Sequence, residues 1–238
     1  MLVNSSRDRR SHFTACINEV RDAPYSLIDG VNWRVSMKWN AESRFDTLEV
    51  FRNQSNAILY IGGNTGQDLA VLSTALPSFN FAVYEPVKQF FRELKTKFSK
   101  ESIEGRITLI NEGLGLKTGE MCQYIDGGSS VEVSTTDIRY LKAECSTKRN
   151  ATDALQLILQ GRRISVHMNC EGCEFEVLES WIQNRKIDSL GVIQFGSHRV
   201  DWINESVYRY CTIQTELSRT HTKVYGEPWA WERWVPKY

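Results

Sequence analysis

Short apolar runs alternate along this chain with stretches whose apolar residues recur at helical spacing. Residues 57–62 form an apolar run closed by glycine, and residues 67–76 carry a helical pattern that Pro77 stops. Residues 79–84 predict a second strand, after which Pro86 suits a helix first turn and Phe90, Phe91, Leu94 and Phe98 make an apolar stripe. Residues 107–110 predict a third strand, and a glycine-punctuated stretch with an alternating run at 131–136 predicts further strands outside the main repeat. A helix over 150–160, a strand over 163–168 with His167 in its apolar register, a helix through Phe175, Leu178 and Trp181, a strand over 190–195 and a helix around 200–218 complete the series. The tail, with Val224, Tyr225, Trp229, Trp231, Trp234 and Val235 around Gly226 and Pro228, predicts a closing hairpin. Residues 1–40 show no clear period and have Trp33 and Trp39 as their large apolar anchors.

Strands that alternate with helices at this spacing predict a doubly wound α/β fold, because each parallel connection needs a crossover that a helix supplies. The expected organisation is an N-terminal cover over 1–40 and one domain over 41–238 with a mostly parallel sheet, helices on both faces and a C-terminal antiparallel hairpin. Such folds bind ligands beyond the carboxyl ends of the strands, where the strand order reverses. The positions to inspect are therefore Ile61, Gly62, Gly63, Asn64 and Gly66, then Glu85, then Glu112 and Gly113, then residues 169–174 and 196–198.

Charge narrows the partners. Lys plus Arg and Asp plus Glu both total 29, so no net field draws the chain to nucleic acid or anionic lipid. No apolar run approaches the roughly 18 residues of a membrane span, and the basic cluster at residues 7–10 is not followed by the apolar core of an export signal. These features favour the cytoplasm. Six cysteines and four Asn-x-Ser/Thr triplets, starting at Asn4, Asn53, Asn150 and Asn204, keep a secretory lumen open.

The loop Gly62-Gly63-Asn64-Thr65-Gly66 lets a ligand approach backbone without a Cβ in the way, but its spacing is neither a dinucleotide fingerprint nor a Walker loop. Nineteen residues beyond Gly66, Glu85 stands where an acid grips ribose hydroxyls in nucleotide-type α/β folds. Cys170 and Cys173, superficially a redox pair or half a zinc site, lack the second pair that a zinc site needs and read as packing residues instead of either, and the four histidines are too scattered to propose a metal.

These motifs, followed by Met168-Asn169-Cys170-Glu171-Gly172-Cys173-Glu174-Phe175-Glu176-Val177-Leu178, resemble the FkbM-like family of S-adenosylmethionine-dependent methyltransferases over residues 56–200. That family has an Asp-Ile-Gly-Ala-Asn-x-Gly loop, a Glu-Pro strand end, and Asp-x-Glu-Gly-x-Glu before a Val-Leu helix. Residues 133–137 are similar to its Thr-Leu-Asp segment. Tyr60, Asn169 and Gly196 stand where the family carries acids, whereas His198 is kept.

The resemblance implies S-adenosylmethionine as cofactor, held by Ile61, Gly62, Gly63, Asn64, Gly66, Glu85, Glu112 and Gly113. It implies methyl transfer, at oxygen, to a small-molecule or glycan acceptor, with no nucleic-acid partner. His198 is the expected base because its ordinary pKa is near 6.5. Asn169 and Glu171 are the other expected catalytic residues, Asn169 as an orienting amide. As the alternative, the three replaced acids allow a non-catalytic binding or scaffolding protein of the same fold.

Overall fold

In the computed structural model, residues 4–21, 45, 48–126, 129–133, 143–159, 163–198, 205–226, 228–229 and 231–237 are described. Helices α1 (Asn4–Arg21) and α2 (Glu49–Arg52) precede β1 (Ala57–Ile61), α3 (Gln67–Ala75), β2 (Asn80–Tyr84), α4 (Lys88–Lys97), α5 (Ser99–Ile103) and β3 (Ile107–Ile110). Four strands follow: β4 (Gly113–Gly115), β5 (Gly119–Asp126), β6 (Ser129–Val133) and β7 (Glu144–Asn150). The chain then runs through α6 (Ala151–Leu159), β8 (Ile164–Met168), α7 (Cys173–Gln183), β9 (Leu190–Gly196), α8 (Ser206–Thr220), β10 (His221–Gly226) and β11 (Trp231–Pro236).

Seven strands form one sheet in the order β10-β11-β9-β8-β1-β2-β3. β1, β2, β3, β8 and β9 pair in parallel, and β11 runs antiparallel to both β9 and β10. The strand order reverses between β1 and β8. Every residue of both strands is buried, as expected of central strands covered on two faces.

The pleat of β1 divides the core. Ala57, Leu59 and Ile61 join residues of α1, α6, α7 and α8 in one cluster, while Ile58 and Tyr60 join residues of α2, α3 and α4 in the other. The doubly wound α/β fold and closing hairpin expected from the sequence are both present. β4–β7 form a separate four-stranded sheet, in the order β4-β7-β5-β6, that accounts for the expected strands outside the repeat.

Residues 4–21 correct the reading of an N-terminal stretch without period. Phe13, Cys16, Ile17 and Val20 are spaced for one helix face, pack on the core, and tie α1 to α8 through a Cys16–Cys211 disulfide. Trp229 Nε1 also donates to the Val20 carbonyl at 3.2 Å, so the tail closes on the same helix. Trp33, Trp39 and residues 134–137 lie outside the described residues.

Candidate functional site

Ile61 ends β1 at the strand reversal, and its carbonyl accepts the Asn169 N–H at 2.9 Å, which joins the loop after β1 to the loop after β8. Gly62 has φ 82°, and a Cβ there would run into the Asn169 carbonyl. A Cβ at Gly63 would lie 2.8 Å from Leu94 Cδ1 and 2.9 Å from Val83 Cγ1. The close approach these two glycines permit is therefore made by the protein itself.

The backbone donors of this loop are all engaged. Gly62 and Gly63 donate to the Tyr84 carbonyl at 3.0 and 3.1 Å, and Gly66 donates to the Gly63 carbonyl at 2.9 Å. Asn64 N donates to Glu85 Oε2 and Thr65 N to Asn64 Oδ1, each at 2.6 Å. A phosphate cradle needs free N–H groups pointing at its ligand, and this loop offers none.

Glu85, only 3% exposed at the end of β2, also accepts the Val87 N–H at 2.8 Å. Burial outweighs these two amide bonds and raises its carboxyl to about 7. Asn111 fixes the segment by donating to the Glu85 and Pro86 carbonyls at 2.8 and 3.1 Å. Glu112 is held by Arg149 through two bonds of 2.5 and 2.8 Å, and Gly113 packs against Met121.

Beyond β8, Glu171 and Gly172 both have positive φ, 54° and 112°, inside a four-residue ring closed by a Cys170–Cys173 disulfide. The bond corrects the expectation of two packing thiols. It forms because the turn brings the two Cα atoms within 5.4 Å, a separation that sequence spacing does not reveal. Glu174, 1% exposed on the first turn of α7, accepts Gly172 N at 2.8 Å, His198 N at 2.8 Å and His198 Nδ1 at 3.0 Å. Glu171 Oε2 lies 3.4 Å from His198 Nε2.

Burial disfavours charge on His198, but the carboxylates of Glu171 and Glu174, one beside each ring nitrogen, more than offset it and raise its pKa to about 9. A carboxylate beside each ring nitrogen is an arrangement that favours the imidazolium over the neutral base expected from sequence. Asn169 Oδ1 is buried and has no hydrogen-bond partner among the described residues. Gly196 leaves the space beside it: a Cβ there would lie 3.0 Å from Asn169 Oδ1 and 3.3 Å from His198 Cε1.

A polar row unseen in the sequence crosses the adjoining sheet. Register aligns Tyr60, His167, Gln194 and Arg233 on β1, β8, β9 and β11. Tyr60 stacks on His167 with ring centroids 4.8 Å apart. His167 Nε2 is 3.6 Å from Asp68 Oδ2, its Nδ1 is 3.4 Å from Gln194 Nε2, and Arg233 Nε donates to Gln194 Oε1 at 2.7 Å. The one signal for it in the sequence is His167 in an apolar register.

The ligand atoms of Glu120, Cys122 and Cys145 lie within 4.8 Å of one another, but both cysteines are joined as a disulfide and offer no thiolate. None of the described helices is long and apolar enough to cross a membrane.

No protein-family model matches the chain, and no curated protein sequence does. Among solved structures, the chain is similar to a methyltransferase FkbM from Methylobacillus flagellatus KT, with 15% identity and a TM-score of 0.47 over 76% of this chain and 43% of that one. The chain thus spans less than half the length of that protein. It is similar to cofactor-bound Rv0187 from MTB, with 14% identity and a TM-score of 0.47 over 100% of this chain and 93% of that one. It is also similar to an O-methyltransferase from Bacillus cereus in complex with SAH, with 11% identity and a TM-score of 0.47 over 100% and 94% of the two chains. The doubly wound class rests on the chain's own strand order and closing hairpin, which stand without these likenesses.

Proposed function

We propose that the chain is an S-adenosylmethionine-dependent methyltransferase of FkbM-like type that methylates a small-molecule or glycan acceptor at oxygen. The observation that carries this reading is the balance of donors and acceptors at the strand reversal. The loop N–H groups are engaged internally, while the Glu85 carboxylate has two acceptor positions left of about four and the buried Asn169 Oδ1 has its own. Anionic phosphates do not suit such a crevice. A nucleoside whose hydroxyls and ammonium group donate does suit it.

In this reading Glu85 holds the ribose hydroxyls, with Ile61, Gly62, Gly63, Asn64 and Gly66 beneath and Glu112 and Gly113 on the side of the base. Asn169 accepts a hydrogen bond from the amino-acid end or from the acceptor. S-adenosylmethionine supplies a methyl group on a sulfonium centre, open to in-line displacement. Alignment then provides most of the acceleration. Glu171 takes the acceptor's proton, and the His198 imidazolium positions Glu171 and Glu174 rather than acting as the base.

A second reading, a non-catalytic binding or scaffolding protein of the same fold, draws on Tyr60, which packs on His167 where the family has an acid. Calorimetric titration with S-adenosylmethionine and S-adenosylhomocysteine tests both. Micromolar binding that weakens about tenfold or more in Glu85→Ala is expected, the value of a hydrogen bond to a charged group. A folded protein that binds neither compound refutes the enzyme, and binding without turnover across an acceptor screen selects the scaffold.

A further inference from the structure

The three disulfides differ in what they enclose. Cys16–Cys211 joins residues 195 apart and both cysteines are buried; Cys122–Cys145 joins residues 23 apart, directly opposite each other on β5 and β7. Cys170–Cys173 joins residues three apart, and both cysteines are only partly buried. Loop closure removes least freedom from the unfolded chain when the loop is shortest, so this third bond is the weakest staple of the three. Its place is nevertheless singular: it lies between Asn169 and the first turn of α7, where a Cβ on Gly62 would meet Cys170 Cα at 3.2 Å. Its ring holds Glu171 at φ 54°, a backbone state that costs an L residue energy, and so keeps the Glu171 carboxylate beside His198.

We propose that Cys170–Cys173 is a site of reversible thiol–disulfide exchange that sets the geometry of the crevice. A thiolate of a dithiol reductant attacks one sulfur, the S–S bond breaks, and a mixed disulfide forms. The reductant's second thiolate then displaces the protein sulfur. Two electrons pass from the reductant, which leaves as a disulfide, to Cys170 and Cys173, which take up the two protons the reductant gives up and become thiols. Opening the ring frees Glu171 from its left-handed conformation, withdraws its carboxylate from His198 and loosens the loop that carries Asn169. The effect on cofactor affinity rests on the methyltransferase reading; the exchange and its effect on His198 do not.

The native chain is treated with graded dithiothreitol, alkylated with iodoacetamide and mapped by peptide mass. Cys170 and Cys173 are expected to label at concentrations that leave Cys16, Cys122, Cys145 and Cys211 protected, and the His198 imidazole NMR resonance is expected to move in step. S-adenosylhomocysteine affinity should fall roughly fivefold or more on reduction. The Cys170→Ser/Cys173→Ser variant should bind as the reduced protein does and no longer respond to the dithiol. Labelling of all six cysteines together, or a His198 resonance unmoved by selective reduction, overturns the proposal. An oxidised protein that binds no S-adenosylhomocysteine refutes the methyltransferase reading alone, since labelling and the His198 resonance still decide the exchange.

Discussion

The Glu85 carboxyl shifts from 4.5 to about 7 because its burial removes more hydration than the Val87 and Asn64 amides return. A group whose pKa rises on folding gives stability that is complete below its unfolded value and is lost as pH climbs through its folded value. Stability is therefore expected to fall between pH 4.5 and pH 7, by on the order of 2–3 kcal/mol. Affinity for S-adenosylmethionine should move the other way, weakening about tenfold from pH 8 to pH 6 as the acceptor is protonated. Denaturant unfolding and calorimetry across this range check both, and Glu85→Gln should flatten both profiles. The position of Glu85 at the end of β2 was legible, because the apolar run that makes the strand is local in sequence. The row Tyr60, His167, Gln194 and Arg233 was not, because its members meet through strand register across more than a hundred residues of chain. The charge on His198 was hidden for the same reason: its pKa is set by two carboxylates on another loop and helix.

At the level of elements, the closing hairpin is anchored by one carboxylate. Glu232 on β11 is 0% exposed and accepts hydrogen bonds from Tyr210 and Gln214 of α8, from Trp234 Nε1 at 3.0 Å and from Ser197 Oγ at 3.4 Å. It thus joins helix, hairpin and the end of β9. Glu232→Ala would leave these donors buried without an acceptor and should lower stability by about 3–5 kcal/mol, read by denaturant unfolding. The hairpin was legible from Gly226, Pro228 and the tryptophans around them. Its buried acid was not, since a charged pair, Glu232-Arg233, within a strand reads as solvent-facing. Helix α1 escaped notice because cysteine takes an apolar place in its stripe.

For the molecule as a whole, all six cysteines are paired. Six cysteines allow fifteen connectivities, and only the fold selects among them. Such bonds form and persist in oxidising environments. Cys16→Ser is expected to cost about 2–5 kcal/mol and to lower the melting temperature accordingly, measured by calorimetry. The Cys16–Cys211 bond also makes the backbone a closed circuit from residue 16 to residue 211. Any single peptide-bond cut within that circuit yields two ends but no second particle, so a nick anywhere from β1 to β9 or in the crossovers between them leaves one covalent body until a reductant opens the ring, whereas a nick in β10 or β11 releases the tail.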